Sequence, residues 1–192
     1  MKRTALLGIL ALAFAVPSAF AQNHGEAGAF AELFRLNTAN PTINFVGLGG
    51  RVGINVHNNI QLEAEMGYDF KRNFSSTFSN GVNTSVVTSR LRALHGLFGP
   101  KIQTGGGPVR LFGTIKGGFL NFGVSNQNAP AGFVNQVGNL TTDNTFGVLY
   151  PGGGVEAYLG PIGLRAEVGD EIYFNNGANS NLRVTFGPSV RF

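Results

Sequence analysis

The sequence predicts an all-β fold, an eight-stranded antiparallel up-and-down transmembrane β-barrel. Apolar and polar residues alternate with a period of two, and short turns alternate with longer polar loops. Beyond the N-terminal segment, no stretch stays apolar over the roughly 18 residues that indicate a membrane-spanning helix. The 29 glycines also disfavour a mainly helical chain. The chain has no cysteine, which excludes disulfide scaffolds and cysteine-ligated metal sites.

Residues 1–21 have the features of a secretory signal peptide. Two basic residues precede an apolar run from Ala5 to Val16, and Ala19–Phe20–Ala21 offers a cleavage site of small residues. A membrane anchor is the competing interpretation, but the run is shorter than the about 20 residues that a spanning helix needs. We therefore expect cleavage between Ala21 and Gln22, and a barrel domain over residues 22–192.

The charge of the exported chain does not indicate a nucleic-acid partner. The full sequence has 14 Lys and Arg against 10 Asp and Glu. Lys2 and Arg3 leave with the signal peptide, so the remaining 12 basic residues nearly balance the 10 acidic ones. A nucleic-acid-binding protein would show a clustered basic face, and none is visible in the sequence.

Period-two alternation marks four strands clearly. The clearest runs from Ile60 to Phe70, with Leu62 on its apolar face and Glu63 and Glu65 on its polar face. The same alternation occurs over residues 45–56, 162–169 and 182–192. Four less regular strands are expected at about residues 25–35, 90–103, 108–120 and 145–158, which makes eight strands in all.

The connections between these strands alternate in length. The tight turns fall at residues 57–59, 104–107 and 159–161. The longer loops fall at residues 36–42, 71–87, 121–144 and 175–181. A barrel with every short turn at one end and every longer loop at the other has the pattern of outer-membrane barrels.

Alternation alone does not distinguish a membrane barrel from a soluble one, because the two differ only in which face meets water. Here the polar faces carry many glycines beside long charged residues. That mixture suits the narrow interior of an eight-stranded barrel better than a water-facing surface. The strands also have the length of about ten residues that crosses a bilayer at a tilt. We therefore predict apolar faces toward lipid and polar faces toward the lumen.

Four short motifs carry a family resemblance: Leu97–Lys101, Gly152–Glu156, Ile162–Glu167 and the closing segment Val184–Phe192. With these motifs the chain from Gln22 to Phe192 resembles the small eight-stranded outer-membrane β-barrels, the OmpA- and OmpX-like barrels. The resemblance implies a bacterial outer-membrane location, contact with outer-membrane lipid, and a terminal Phe192 that the barrel-assembly machinery reads during biogenesis. The peptidoglycan-binding domain of full-length OmpA-type proteins has no counterpart, so cell-wall tethering is not expected.

The predicted lumen carries an almost balanced set of charges. Six basic and five acidic residues fall on the polar faces: Arg51, Glu63, Glu65, Asp69, Lys101, Arg110, Lys116, Glu156, Arg165, Glu167 and Arg183. The core of an interior charge network is expected at Arg51, Glu63, Glu65, Lys116, Glu156, Arg165 and Glu167. Near balance favours a lumen filled by paired side chains over an ion filter of one sign. A narrow, gated pore is the alternative.

The sequence offers little for catalysis. Of three histidines only His95 lies within a predicted strand, and its same-face neighbours Ala93 and Leu97 supply no serine nucleophile. The glycine runs at 105–107 and 152–154 lack the phosphate-loop pattern. We therefore expect no enzymatic activity, no cofactor and no metal site.

The function predicted from these observations is a structural or surface-interaction role in the outer membrane. Loops on a rigid scaffold commonly carry recognition, so any extracellular ligand is expected at residues 71–87 and 121–144. A small porin-like channel for ions or small solutes is the alternative.

Overall fold

The computed structural model describes residues 24–37, 42–79, 84–105, 107–126 and 144–192. No helix in this described part of the chain is long and apolar enough to cross a membrane. The signal peptide predicted for residues 1–21, with its cleavage site between Ala21 and Gln22, lies outside the described residues. It stays a prediction.

Ten strands follow one another along the described chain. They are β1 (Gly25–Leu36), β2 (Ile43–His57), β3 (Ile60–Ser79), β4 (Thr84–Gln103), β5 (Val109–Asn126), β6 (Asn144–Leu159), β7 (Ile162–Asp170), β8 (Ile172–Phe174), β9 (Ala178–Asn179) and β10 (Leu182–Arg191). Eight of them form one sheet in the order β5-β4-β3-β2-β1-β10-β7-β6, and β5 also pairs with β6. This last pairing closes the sheet, so the predicted eight-stranded antiparallel barrel is confirmed. The short β8 continues the line of β7 along β6 in the same register, and it also pairs with β9.

The first and last strands meet at a seam. The ladder between them runs from the pair Glu26 and Arg191 to the pair Arg35 and Leu182. At its end the Phe192 N–H donates to the Gly25 carbonyl oxygen at 3.0 Å, and the Gly25 N–H donates to the Phe192 carbonyl oxygen at 2.9 Å. In lipid an unpaired backbone group costs several kcal/mol, so this pairing is what allows the sheet to sit in a membrane.

Side-chain exposure follows the predicted inside-out pattern. On β3, Leu62 and Met66 are exposed, whereas Glu63 and Glu65 are buried. The other strands add exposed apolar side chains such as Leu48, Val52, Phe98, Ile102, Leu111, Ile115, Leu164, Val168, Val184 and Phe186. The outer surface is therefore an apolar belt, the surface that a bilayer stabilises, and the predicted assignment of faces is confirmed.

The short connections lie at one end of the barrel, which we call the turn end, and the longer connections at the other, the loop end. The turn end carries the links at residues 58–59, 104–108 and 160–161. Gly160 has a φ of +62°, a backbone conformation that glycine adopts without a steric penalty.

At the loop end the strands are longer than predicted. Residues 71–79 and 84–87, expected within a loop, belong to β3 and β4, and residues 121–126 belong to β5. Residues 75–79 pair with residues 84–88 and with no other described strand, so this hairpin continues past the barrel wall. The prediction was wrong there because a Ser- and Thr-rich hairpin needs only backbone pairing and shows no apolar alternation. Residues 127–143, the middle of the other predicted loop, lie outside the described residues.

Candidate functional site: the barrel interior

Charged side chains fill the lumen from the turn end to the middle of the barrel. Alternate residues of every strand point inward, so side chains from opposite walls meet at the axis of so narrow a barrel. The seven residues expected to form the interior charge network are all buried: Arg51, Glu63, Glu65, Lys116, Glu156, Arg165 and Glu167. They come from β2, β3, β5, β6 and β7.

Arg165 on β7 contacts three carboxylates. Its guanidinium donates to both oxygens of Glu63 and to Glu167 Oε2 at 2.6 Å, and its Nη1 lies 3.1 Å from Glu156 Oε1. The guanidinium also lies 4.1 Å from the centre of the Phe112 ring, a cation–π distance. Strands β3 and β7 stand on opposite sides of the closed sheet, so the pair of Arg165 and Glu63 crosses the lumen.

Lys116 and Arg51 join the same carboxylates to other walls. The Lys116 Nζ lies 2.8 Å from Glu65 Oε2, 3.2 Å from Glu63 Oε2 and 3.3 Å from Glu167 Oε1. Arg51 donates to Glu167 Oε2 at 2.9 Å. Each cation therefore serves more than one carboxylate, and the charges form one connected network.

Two lumen residues on strand β1, Glu26 and Glu32, were not predicted from the sequence. Glu26 and Glu32 are buried, and Glu26 Oε2 lies 3.5 Å from the Nζ of Lys101. The signal was present: counting in twos from Glu26 reaches Phe30, Glu32 and Phe34, all of which are buried. Gly28 and the three intervening alanines obscured the alternation of this strand.

A second group of buried charges surrounds His95, nearer the loop end. The His95 Nε2 lies 2.8 Å from Asp69 Oδ2, and its Nδ1 lies 2.6 Å from Glu171 Oε1. Glu32 belongs to the same group, and its Oε2 accepts a hydrogen bond of 2.8 Å from Arg183. Glu171 was not predicted as a lumen residue because Asp170 interrupts the apolar face of the strand, although counting in twos from Arg165 reaches Glu167, Glu171 and Tyr173, all of which are buried.

An apolar layer packs around His95 and extends from there toward the loop end. Its buried members are Phe34, Leu36, Phe45, Leu91, Ala93, Leu97, Leu120, Phe122, Val148, Tyr150 and Tyr173. The Phe34 ring meets the His95 ring edge-on with 4.9 Å between their centres, so the layer packs directly on the buried charges. This layer was not predicted, although adjacent apolar residues such as Leu33 and Phe34 are a signal that both faces of a strand are apolar.

Exposed basic residues gather on the outside of the barrel at the loop end. We call this set the basic rim: Arg35, Lys71, Arg72, Arg90 and Arg92, all exposed. They lie on β1, β3 and β4, three of the four consecutive strands on one side of the barrel. These residues are spread over three strands, so they form no basic face in the sequence, and only the fold brings them together.

Comparison with known proteins supports the fold. No family model matches the sequence, and no curated protein matches it. Solved structures do match, among them three whose alignments each cover 88% of this chain. Neisserial surface protein A, NspA, has a TM-score of 0.55 at 11% identity, with 96% of its own chain covered.

Two further matches are outer-membrane proteins of similar size. The attachment invasion locus protein Ail of Yersinia pestis, in complex with the heparin analogue sucrose octasulfate, has a TM-score of 0.54 at 13% identity, with 97% of its chain covered. The outer membrane protein OprG from Pseudomonas aeruginosa has a TM-score of 0.54 at 12% identity, with 96% covered. At these identities the likeness concerns the fold. The expected resemblance is confirmed at that level: this chain is an eight-stranded antiparallel β-barrel of the small outer-membrane type.

Proposed function

We propose that this chain is a bacterial outer-membrane protein with a structural or surface-interaction role, whose lumen is filled and does not conduct. The apolar belt and the shared fold support the outer-membrane location. The observation that carries the non-conducting lumen is the buried ion pair of Arg165 and Glu63, which joins opposite walls.

A conducting path would have to separate several such pairs. Lys116 alone lies within 3.3 Å of three carboxylates from two walls. Breaking one buried pair costs about 3–5 kcal/mol, so a path through the whole network is strongly disfavoured. Above the network, the apolar layer includes Phe34, Phe45 and Phe122, none of which has exposed surface.

The test is the conductance of the purified protein in a planar lipid bilayer. We expect no steady channels from the wild-type protein. The double variant Arg165→Ala/Glu63→Ala should conduct more than the wild type, because it removes two long side chains from the axis. Leu164→Ala, next to Arg165 but facing lipid, should be as silent as the wild type. Steady, reproducible wild-type channels would contradict the proposal and favour the small porin-like channel.

Recognition belongs, in this proposal, to the loop end. The basic rim supports an anionic partner at the cell surface, of the class of sulfated saccharides. The complex of Ail with a sulfated sugar is a property of Ail; here the support is the five exposed basic side chains on one side of the barrel. Oppositely charged surfaces of this kind raise association rates and affinity in a salt-dependent way.

Heparin binding to the protein in nanodiscs tests this partner class. Replacing Arg35, Arg72, Arg90 and Arg92 with glutamine should weaken binding at least tenfold and reduce its dependence on salt. Asp170→Asn, at the loop end outside the basic rim, is the matched control and should bind no more weakly than the wild type. Equal binding by the glutamine variant and the wild type would remove the basic rim as the recognition surface.

The proposal includes no enzymatic activity. Both ring nitrogens of His95 face carboxylates, those of Asp69 and Glu171, rather than a hydroxyl nucleophile. The Phe34 ring packs against the same histidine, and His95 has no exposed surface. Neither a lipid substrate nor an attacking water molecule therefore reaches the His95 ring.

A further inference from the structure

We propose that Glu32, Asp69 and His95 form a buried site for one divalent transition-metal ion of the Zn²⁺ type. The three residues come from β1, β3 and β4. One possible ligand atom from each lies within 4.8 Å of the other two. All three residues are buried in the lumen, between the charge network and the apolar layer. The expectation of no metal site, drawn from the sequence alone, is the one that this proposal replaces.

Two carboxylate oxygens in this group have no hydrogen-bond partner. They are Oε1 of Glu32 and Oδ1 of Asp69, and both are buried. A buried carboxylate oxygen loses its hydrogen bonds to water and is unfavourable unless another group replaces them. The remaining oxygens of these side chains are held by Arg183 and by His95, so the unpartnered ones are free to bind an ion.

The two unpartnered oxygens converge on the same space. A Cβ atom at Gly47 would lie 2.5 Å from Asp69 Oδ1 and 2.9 Å from Glu32 Oε1. A Cβ atom at Gly67 would collide with Glu32 Oε1. Glycines on β2 and β3 therefore form a wall with no side chains at the point where the oxygens meet. Any larger residue at Gly47 would take the space that the oxygens occupy.

His95 has the arrangement of a metal-bound histidine. Its Nδ1 is held by Glu171 Oε1 at 2.6 Å, which fixes the ring with Nε2 toward Asp69. A carboxylate behind the histidine in this way orients the ring and raises the basicity of the ligating nitrogen. The Nε2 now lies 2.8 Å from Asp69 Oδ2. An ion bound to Nε2 and to the unpartnered Oδ1 of Asp69 would take the place of this contact.

The donor set selects the class of ion. One imidazole nitrogen with two carboxylate oxygens suits Zn²⁺ and similar transition-metal ions, whereas Ca²⁺ and Mg²⁺ prefer oxygen ligands alone. Three carboxylates, of Glu32, Asp69 and Glu171, surround the space, and Arg183 is the one Arg or Lys side chain that the described structure places against them. The local excess of negative charge favours a bound cation, and His95 binds it as the neutral imidazole.

The test refolds the untagged chain from denaturant into detergent micelles, with Zn²⁺ or with EDTA. Unfolding is needed because the ligands are buried in the folded barrel. After gel filtration, zinc is counted by inductively coupled plasma mass spectrometry. We expect about one zinc per folded wild-type chain. His57→Ala, at the exposed turn end, should retain it, and His95→Gln should lose at least nine-tenths of it.

A second pair of variants compares buried carboxylates inside and outside the site. Asp69→Asn should lose zinc, whereas Glu63→Gln, in the charge network, should keep it. Folding of every variant is checked by circular dichroism and by heat-dependent electrophoretic mobility. Folded wild-type protein without zinc, or zinc retained by His95→Gln, would overturn the proposal.

Two measurements on the wild-type protein test the site without depending on whether the variants fold. X-ray absorption of the zinc-loaded protein should show nitrogen and oxygen ligands with a single imidazole, and two or more imidazoles would overturn the site. The denaturant midpoint should be higher after refolding with zinc than with EDTA, because an ion that binds only the folded state stabilises it. An equal midpoint would count against the site in the same way.

Discussion

Replacing Arg165 with leucine removes the cation that joins opposite walls of the barrel. The Arg165 side chain is buried and is hydrogen-bonded to Glu63 and Glu167. Removing one partner of a buried ion pair costs about 3–5 kcal/mol, because the remaining charge is left in a medium of low dielectric constant. Glu63 keeps Lys101 and Lys116, each 3.2 Å away. We therefore expect a loss of about 3 kcal/mol in the free energy of unfolding, the lower end of that range.

A double variant separates the charge from the packing. Arg165→Leu combined with Glu63→Leu removes one cation and one anion, so the charge balance of the lumen is unchanged. Its loss of stability should be smaller than the sum of the two single losses, with a coupling energy of about 1–3 kcal/mol. Leu164→Met, at the neighbouring residue that faces lipid, keeps the side-chain volume and should unfold like the wild type.

Urea unfolding in phospholipid vesicles gives these free energies. The chain has no tryptophan, so unfolding is followed by far-ultraviolet circular dichroism and by electrophoretic mobility with and without heating. An Arg165→Leu protein with the wild-type urea midpoint would refute the reasoning. A double variant whose loss of stability equals the sum of the two single losses would also refute it. The two side chains would then contribute through packing but not through mutual attraction.

Three further predictions concern the lipid face, the close packing of strands and the seam. Leu62→Arg places a charge on the apolar belt and should cost about 2–4 kcal/mol in lipid; refolding yields equal to the wild type would reverse the assignment of faces. Gly187→Ala should lower the urea midpoint, because its Cβ would collide with a carbonyl oxygen of β1, whereas Gly113→Ala has open space around its Cβ and should not. Deleting Phe192 removes the last hydrogen bonds of the seam and the proposed assembly signal, so less folded, heat-modifiable protein should reach outer-membrane fractions. Refolding of the truncated protein into lipid in vitro should be affected less. Normal outer-membrane levels of the truncated protein would contradict the proposed assembly signal.

Alternation predicts the barrel wall well because the side on which a residue lies is a local property. Leu62 and Glu63 are adjacent in sequence, and the pleat alone sends one to lipid and the other to the lumen. The partners within the lumen are not local. Whether Arg165 meets Glu63 depends on the tilt and stagger of strands on opposite sides of the barrel, which the sequence pattern does not contain. The composition of the lumen could therefore be predicted, but its pairing could not.

The same limit applies to the group around His95. The sequence marks His95 and Asp69 as inward-facing, but Glu171 follows the end of β7, where Asp170 interrupts the apolar face that made the strand recognisable. Glu32 lies on the strand whose small residues hide its period. Only the closed sheet brings these four side chains together, and only their geometry shows that one oxygen of each of the three carboxylates has no hydrogen-bond partner.

The apolar layer and the buried charges depend on each other. Phe34 and its neighbours exclude water from the loop end of the lumen, and ion pairs beneath them are stronger in the resulting low dielectric. The same environment makes an unpaired charge costly, which explains why Lys116 contacts three carboxylates instead of one. A lumen held in this way cannot rearrange one residue at a time, since each cation is shared among several strands. The proposed recognition of a partner falls to the basic rim, whose exposed side chains can move without breaking the network.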